Sequence, residues 1–320
     1  DRLTNLQNGK QETYSVSESM SQSRFLSFFG RLDYSILDKY YFDASVRNDA
    51  CSRFGANNRN ATFWAVGGMW KIKGEDFLYA VDAVNDLNFK VSYGTQGNAS
   101  IGNYQHLGLV STASKYMDTG AKVLSQPSNP GLTWEQQALL TVGINGRFFN
   151  MLDVNIEFYN RTTTDMLMDV PYNYTTGFSS LKANVGSLSN RGVDITLGVD
   201  ILRGRDYWLR ASTTFNYNDE KVTGLFNGLD RWEMTGYGLA YVVGKPVMFY
   251  APIYAGIDPA DGAPMWYLPG ENVDETTMNE TTKDFDEASL TQNTGLRYTP
   301  PIYGGFSIGG GWRGLSVQAD

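Results

Sequence analysis

The sequence contains very few of the side chains that build disulfides, metal centres and nucleic-acid surfaces. Its 320 residues include a single cysteine, Cys51, and a single histidine, His106, which excludes an intramolecular disulfide framework, a thiolate cluster and a multi-histidine metal site. The formal net charge is -8, and there is no basic stripe that could displace counterions from phosphates. We therefore predict no nucleic-acid partner, no metal and no cofactor.

Long apolar runs and helical periodicity are also missing. No run of 18 apolar residues occurs, which excludes a transmembrane helix, whereas a transmembrane β-barrel shows only short alternating segments. Aromatic residues are plentiful, at 14% of the chain, and glycine occurs 34 times. The chain begins without an initiator Met and stops within an alternating pattern, so we expect it to be part of a longer protein.

An alternation of apolar and polar residues runs through most of the chain and predicts β-strands. It is clearest in "LDVNIEF" (152–158), where every second residue is apolar and the residues between are acidic or amide side chains. Strands are predicted at 24–36, 40–49, 63–72, 87–93, 136–147, 152–162, 191–202, 207–218 and 304–312, with a last one opening at Leu315. The fold class is therefore all-β.

The connections between these strands alternate in length. Those near residues 38, 150, 204 and 313 are tight, and the one at 73–86 is somewhat longer. The others are long and polar, at about 50–62, 94–135, 164–190 and 219–303. This alternation predicts an antiparallel up-and-down meander with all long loops at one end, because a Greek-key sandwich would mix both lengths at both ends.

Aromatic residues mark both ends of the predicted strands. Beside the tight turns lie Tyr34, Tyr40, Tyr41, Phe148, Phe149, Tyr207 and Trp312. Beside the long loops lie Phe63, Trp64, Tyr93, Phe158, Tyr159, Phe215 and Tyr217. Two aromatic bands around small aliphatic residues match the two interfaces of a bilayer, and a tilted strand of about 10 residues covers an apolar band roughly 25 Å tall. The pattern predicts a transmembrane β-barrel with its apolar face towards lipid.

The stretch "NFKVSYGTQGNASIGNY" (88–104) illustrates this interpretation. Its first half alternates, and its second half is polar and rich in glycine. Unpaired backbone amides cost several kcal/mol each within hydrocarbon, so the chain must stay extended until it reaches the interface. We expect the strand to end at Tyr93 and the backbone to become irregular beyond it.

A soluble barrel or sandwich with inward apolar faces is the alternative. Strands in soluble sheets average about 5–6 residues, and several predicted here are about twice as long. The polar face is rich in Asp, Asn, Ser, Thr and Arg, which suits a wet, internally hydrogen-bonded lumen. We interpret the following charged residues as a polar wall rather than as catalytic groups: Asp43, Asp153, Glu157, Asp194, Asp200, Arg31, Arg47 and Arg210.

Five segments resemble the SusC/RagA family of TonB-dependent outer-membrane transporters, in family order and over most of the chain. They are the stretch at 88–104, "FGRLDYSILDKYYFDASVRNDACSRFGANNR" (29–59), "NVGSLSNRGVDITL" (184–197), "VGKPVMFYAPIYAGIDPADGAP" (243–264) and "PPIYGGFSIGGGWRGLSV" (300–317). The chain departs from the family at Ala50 and Cys51, where glycine and serine are usual. It also lacks the calcium-like DxDxDG run within its acidic stretch at 271–287, so no metal is expected there.

The resemblance implies a 22-stranded barrel, of which residues 1–320 hold about ten strands of the C-terminal half, without the final strands. It implies a plug and a TonB box that are not visible here, and a SusD-like lipoprotein that covers the mouth. The cargo in this family is oligosaccharides or peptides, and the location is the outer membrane of a Gram-negative bacterium. The resemblance therefore predicts an importer rather than an enzyme.

Aromatic residues in the long loops are the candidate ligand contacts, because aromatic faces stack on sugar rings and peptide side chains. The candidates are Tyr104, Trp134, Trp232, Tyr237 and Trp266. Loop packing or contact with the lid is the competing explanation. His106 is expected to be a loop packing residue, Cys51 a free thiol in a polar loop, and "DPADG" (258–262) a turn rather than a calcium site.

Two other functions stay open at this point. An outer-membrane barrel hydrolase would need a nucleophile and a base that converge on the wall, and the lone histidine lies outside every predicted strand. A soluble carbohydrate-binding or adhesion module would stay monodisperse without detergent.

Overall fold

The computed structural model describes residues 20–116, 119–172, 174–234, 238–270, 280–288 and 292–320. Its strands are β1 (Phe25–Ile36), β2 (Tyr40–Cys51), β3 (Asn60–Lys71), β4 (Val84–Asn98), β5 (Leu109–Tyr116), β6 (Thr119–Gln126), β7 (Glu135–Phe148), β8 (Leu152–Thr164), β9 (Leu167–Pro171), β10 (Ser180–Asn184), β11 (Ser187–Arg203), β12 (Tyr207–Gly224), β13 (Arg231–Met234), β14 (Leu239–Val242), β15 (Met248–Ala251), β16 (Tyr254–Ile257), β17 (Pro264–Tyr267), β18 (Thr281–Thr282), β19 (Gln292–Arg297), β20 (Ile302–Trp312) and β21 (Leu315–Ala319). The helices are single turns: α1 (Asp76–Tyr79), α2 (Phe285–Ala288), and 3₁₀ turns at Ile72–Gly74, Tyr174–Thr176 and Phe226–Gly228. In these ranges no helix has the length and apolar character needed to cross a membrane.

Ten strands form one antiparallel sheet in the order β1-β2-β3-β4-β7-β8-β11-β12-β20-β21. Each strand pairs with the next long strand along the chain, so the sheet is an up-and-down meander. The predicted fold class and all ten predicted strands are confirmed. β1 and β21 are the two edges, and the sheet is not closed within this chain.

Three of the tight connections are hairpin turns of two or three residues. The backbone amides of Lys39 and Met151 each donate to the carbonyl three residues earlier, at 3.0 Å in both cases. Both central residues of each turn have positive φ: Leu37 and Asp38, Phe149 and Asn150, Arg313 and Gly314. Two successive positive φ angles give the turn a twist that matches the right-handed twist of paired strands, so these turns hold their strands in register.

The two faces of the sheet differ as the alternation predicts. The apolar face leaves large side chains uncovered, including Val66 (46% exposed), Phe158 (44%) and Phe306 (60%). The buried hydrophobic clusters of the described residues lie mainly in the long connections, not beneath the sheet. A continuous exposed apolar surface on a large sheet marks contact with a membrane or a partner, and here it is the lipid-facing surface of a barrel wall.

Three residues of the predicted aromatic bands lie on the polar face instead. Tyr41 lines a depression with Arg31, the ring of Phe63 is buried under the long connections, and the Tyr159 hydroxyl donates to Asn218 Oδ1 at 3.1 Å. These residues were assigned to the aromatic bands from their distance to a turn. The two-residue period of a strand, however, decides on which face of the sheet a side chain lies.

Several strands continue beyond their predicted ends. The strand expected to stop at Tyr93 runs to Asn98, β11 begins at Ser187, and β12 reaches Gly224. Cys51 is the last residue of β2 and is buried, so its placement in a polar loop was wrong. Backbone pairing does not require apolar side chains, and polar residues extend a ladder readily once it leaves the hydrocarbon.

The long connections contain β-structure of their own, which their polar composition does not indicate. β5 pairs with β6, and β9 pairs with β10. Between β12 and β20 lie a four-stranded sheet, β13-β14-β15-β19, and a three-stranded sheet, β16-β17-β18. The end of the wall with long loops therefore carries a structured mouth.

Candidate functional site

The polar face carries a closed network of four charges near the tight-turn end. Arg147 contacts Asp153 at 2.9 Å and Asp200 at 2.5 Å. Arg210 contacts the same two carboxylates at 2.8 and 2.7 Å. The four side chains come from β7, β8, β11 and β12, four adjacent strands. Each guanidinium thus joins two carboxylates, and the network is neutral as a whole. Its members are engaged with one another, as a structural wall requires.

The other predicted wall residues make simpler contacts. Arg31 pairs with Asp33 at 2.7 Å, and Arg47 pairs with Asp49 at 2.6 Å, each along a single strand. Asp194 accepts a hydrogen bond from the Asn216 amide. Asp43 lies against Gly67, where a Cβ would collide with its carboxylate. None of these contacts joins a nucleophile to a histidine base.

A buried cluster closes the base of the mouth, and we call it the mouth cluster. Its members are Cys51, Phe54, Phe63, Ile101, Leu132 and Trp134. Trp134 is 2% exposed, its ring lies 5.3 Å from that of Phe54, and its Nε1 donates to the carbonyl of Arg59 at 2.9 Å. Sequence reasoning named Trp134 as a ligand contact, and the structure places it among packing residues from β2, β3 and two connections.

Two further predicted residues lie in the connection between β4 and β7. Tyr104 has positive φ, is 37% exposed, and its hydroxyl accepts a hydrogen bond from the Gln22 amide at 3.0 Å. His106 Nδ1 lies 2.9 Å from the carbonyl of Arg53. The histidine thus ties two connections together, and the tyrosine ring keeps an open surface.

Trp232 and Trp266 lie on the two small sheets of the mouth. Trp232 stacks on Tyr241 with ring centroids 5.6 Å apart, and Phe226 meets its ring edge-on. Trp266 packs edge-on against Phe285 at 5.2 Å. Tyr237, the fifth candidate, lies outside the described residues. Each of the four described rings has different neighbours, and ligand contact by them stays a prediction.

A lysine joins the two acidic residues of the "DPADG" turn. Lys283 Nζ lies 2.5 Å from Asp258 Oδ2 and 2.8 Å from Asp261 Oδ2. Hydrogen bonding to this ammonium holds the pKa of both carboxyls below the usual aspartate range, and the amide of Ala260 adds to the effect at Asp258. Sequence reasoning missed Lys283, because 20 residues separate it from the turn whose two carboxylates it contacts.

Replacing Lys283 by methionine should loosen the β16–β17 hairpin at neutral pH. Because the folded-state pKa of each aspartate is depressed, the stabilisation is fully present above the ordinary aspartate pKa of about 3.9 and is lost as pH falls through the depressed folded-state pKa. Hydrogen–deuterium exchange over residues 254–267 should therefore be faster in K283M than in the parent at neutral pH, and the difference should disappear as both aspartates become protonated in acid. Lys221→Met is the control, since Lys221 pairs with Asp219 on β12. A difference that persists in acid would contradict the assignment.

The geometry defines a class of protein. A long-stranded antiparallel meander with an exposed apolar face, a polar face that carries a neutral arginine–aspartate network and a structured loop end is the wall of an outer-membrane-type β-barrel. Comparison with known protein families gives a more specific assignment than the geometry. The family model described as "TonB dependent receptor-like, beta-barrel" matches residues 2–318, and the chain belongs to that family. The predicted SusC/RagA resemblance is confirmed by the relatives.

Two curated relatives and one solved complex illustrate the similarity. TonB-dependent receptor P26 of Formosa agariphila is 31% identical over 80% of this chain, and TonB-dependent receptor SusC of Bacteroides thetaiotaomicron is 31% identical over 66%. A structure of the RagAB peptide transporter is 42% identical over 92% of the chain, with a TM-score of 0.83. The chain spans 26% and 22% of the two curated relatives and 32% of the RagAB chain.

Proposed function

We propose that this chain supplies part of the wall and mouth of an outer-membrane importer for oligosaccharides or peptides. The importer is coupled to TonB through a segment outside this chain and works with a SusD-like surface lipoprotein. The observation that carries the proposal is the pairing of an apolar outer face with a polar face that carries a neutral network of two arginines and two aspartates. Such a wall contacts lipid with one face and the water-filled interior of the barrel with the other.

The wall and the mouth have different tasks in this mechanism. Cargo is held between the lipoprotein lid and the mouth, where Tyr104, Trp232 and Trp266 offer aromatic faces. Force on the plug then opens a passage along the polar face. The Arg147–Asp153–Arg210–Asp200 network satisfies its own charges, so it provides a hydrophilic surface without holding the cargo tightly.

Peptides are the cargo class that we favour of the two. The RagAB structures, described as a peptide transporter or importer, share 41–42% identity with this chain, against 31% for SusC. The two alternatives receive no such support. A hydrolase lacks a histidine base on the wall, because His106 lies in a connection against a backbone carbonyl. A soluble module would have to cover the apolar face of the ten-stranded sheet.

A tryptophan substitution in the mouth tests the proposal in the full-length protein. Trp232→Ala should weaken cargo binding about tenfold, or about 1.4 kcal/mol, through loss of one stacking face, and should slow uptake into cells. The matched control is Trp64→Ala, which removes a ring that is 43% exposed on the lipid-facing side. Binding is measured with defined peptide and oligosaccharide pools, and retained ligands are identified by mass spectrometry. If cells that lack the protein still take up both pools at the parental rate, the proposed import function is refuted.

A further inference from the structure

The connection between β3 and β4 differs from the other connections at the tight-turn end. The connections on either side of it, between β1 and β2 and between β7 and β8, are tight turns, whereas residues 72–83 contain a 3₁₀ turn and α1. Two aromatic side chains of α1 project freely: Phe77 is 68% exposed and Tyr79 is 75% exposed. A connection that only reverses the chain needs neither ring. Two exposed aromatics on a structured segment indicate a surface that another phase or partner covers.

This segment is held in a fixed shape. Lys73 Nζ donates to the carbonyls of Leu78, Tyr79 and Val81 at 2.9–3.1 Å. One ammonium therefore joins three backbone carbonyls at and just beyond the C-terminal end of α1, where the carbonyls of Leu78 and Val81 also accept the amides of Val81 and Val84. The amide of Glu75 donates to the carbonyl of Ile72 at 3.0 Å and closes the preceding turn. The two rings are thus displayed by a rigid element.

The position of Glu75 shows on which side of the wall the segment lies. Its Oε1 accepts hydrogen bonds from Tyr40 Oη at 2.7 Å and from Trp70 Nε1 at 3.0 Å. Tyr40 and Trp70 are opposite each other in the β2–β3 register, and both belong to the apolar face. Lys39 Nζ adds a contact of 3.1 Å to the other carboxylate oxygen. Glu75 is therefore anchored to the lipid-facing side of the wall, not to the lumen.

We propose that residues 72–83 form a foot that rests on the periplasmic leaflet, with Phe77 and Tyr79 at the boundary between phospholipid headgroups and acyl chains. Tight turns face the periplasm in barrels of this class, and aromatic rings collect at that depth. The foot continues an interface that already exists, because Trp70 and its partner Phe89 lie on the lipid-facing side directly beside it. Its role is to fix the height and tilt of the wall in the membrane, which is independent of cargo import.

The test measures depth in the full-length protein, reconstituted in nanodiscs of phosphatidylethanolamine and phosphatidylglycerol. Spin labels are placed singly at Phe77, Tyr79 and Asp82 in a C51A background. Asp82 is exposed on the same connection and serves as the matched control. The ratio of collisions with lipid-soluble oxygen to collisions with a water-soluble nickel chelate should be at least about threefold higher at 77 and 79 than at 82.

Two results would overturn the proposal. Equal ratios at all three positions would place the foot in periplasmic water. Exclusion of both reagents from 77 and 79 would show that protein, not lipid, covers the rings. Heat-modifiable migration on gels shows that each labelled barrel is folded, and the second aromatic position keeps the test decisive if one variant fails that check.

Discussion

Replacing Trp134 by alanine is expected to open the base of the mouth. The indole is almost fully buried and packs against Phe25, Phe54 and Phe63 with ring centroids 5.3–5.7 Å apart. Removal of a buried Trp side chain typically costs about 3–5 kcal/mol, because transfer and cavity terms add. The main sheet should persist, since its ladders do not depend on this side chain. The expected loss is therefore local to the mouth cluster and the connections that it joins.

Trypsin cleavage at Arg53 measures this opening on intact cells. In the parent, Arg53 is half-buried and its Nη1 donates to the carbonyl of Ala99 at 2.9 Å, so cleavage there requires the connection to open. Cleavage should accelerate by roughly two to three orders of magnitude in W134A, because each 1.4 kcal/mol is tenfold in the open population. Trp134→Phe keeps most of the packing and loses only the bond to Arg59, so its acceleration should be about tenfold or less.

The same pair of variants separates packing from ligand contact. If Trp134 acts by packing, W134F retains cargo binding and slow cleavage together. Loss of cargo binding in W134F with cleavage unchanged would show that the indole itself touches the cargo, as sequence reasoning predicted. Cleavage of W134A at the parental rate would contradict the structural role assigned to the mouth cluster.

The main sheet was predictable because a single physical rule governs it. Lipid on one side and water on the other impose a strict two-residue period, and stretches such as 152–158 display it in full. Every one of the ten long strands was found from that period. The strand ends were less predictable, as the continuation of β4 from Tyr93 to Asn98 shows, because backbone pairing extends into water without a change of side-chain pattern.

The mouth was not predictable in the same way. Trp134, Trp232 and Trp266 are all aromatic residues in polar connections, yet one is buried and two lie on separate small sheets. Their environments depend on contacts between segments far apart in sequence, such as Phe54 with Trp134 and Lys283 with Asp258. A repeating pattern of apolar and polar residues carries no information about such long-range contacts. The charge network is an intermediate case: Asp153, Asp200 and Arg210 were assigned to the wall, but the bridging role of Arg147 required the strand register.

Placing an arginine on the lipid-facing side should damage the barrel, and placing it one residue away should not. Ile156 on β8 is 39% exposed and lies between Ile144 and Ile195 on the neighbouring strands. Asn155 precedes it and lies on the polar face, where it lines a depression with Asp153 and Glu157. Arginine near the bilayer midplane costs about 2–4 kcal/mol, so I156R should lower the free energy of unfolding by that amount. For N155R we expect a change of less than about 1 kcal/mol, because its guanidinium meets water and nearby carboxylates.

Equilibrium urea unfolding of the full-length protein in phospholipid vesicles measures both variants. The two substitutions introduce the same side chain and the same charge on the same strand, so the contribution of arginine itself cancels in the comparison. The remaining difference reports the face of the sheet and the side chain that was removed. If the apolar face were instead a buried core, I156R would prevent folding altogether, and the parent would stay monodisperse without detergent. If N155R were the more damaging of the two, the assignment of the lipid-facing side and the polar side would be wrong.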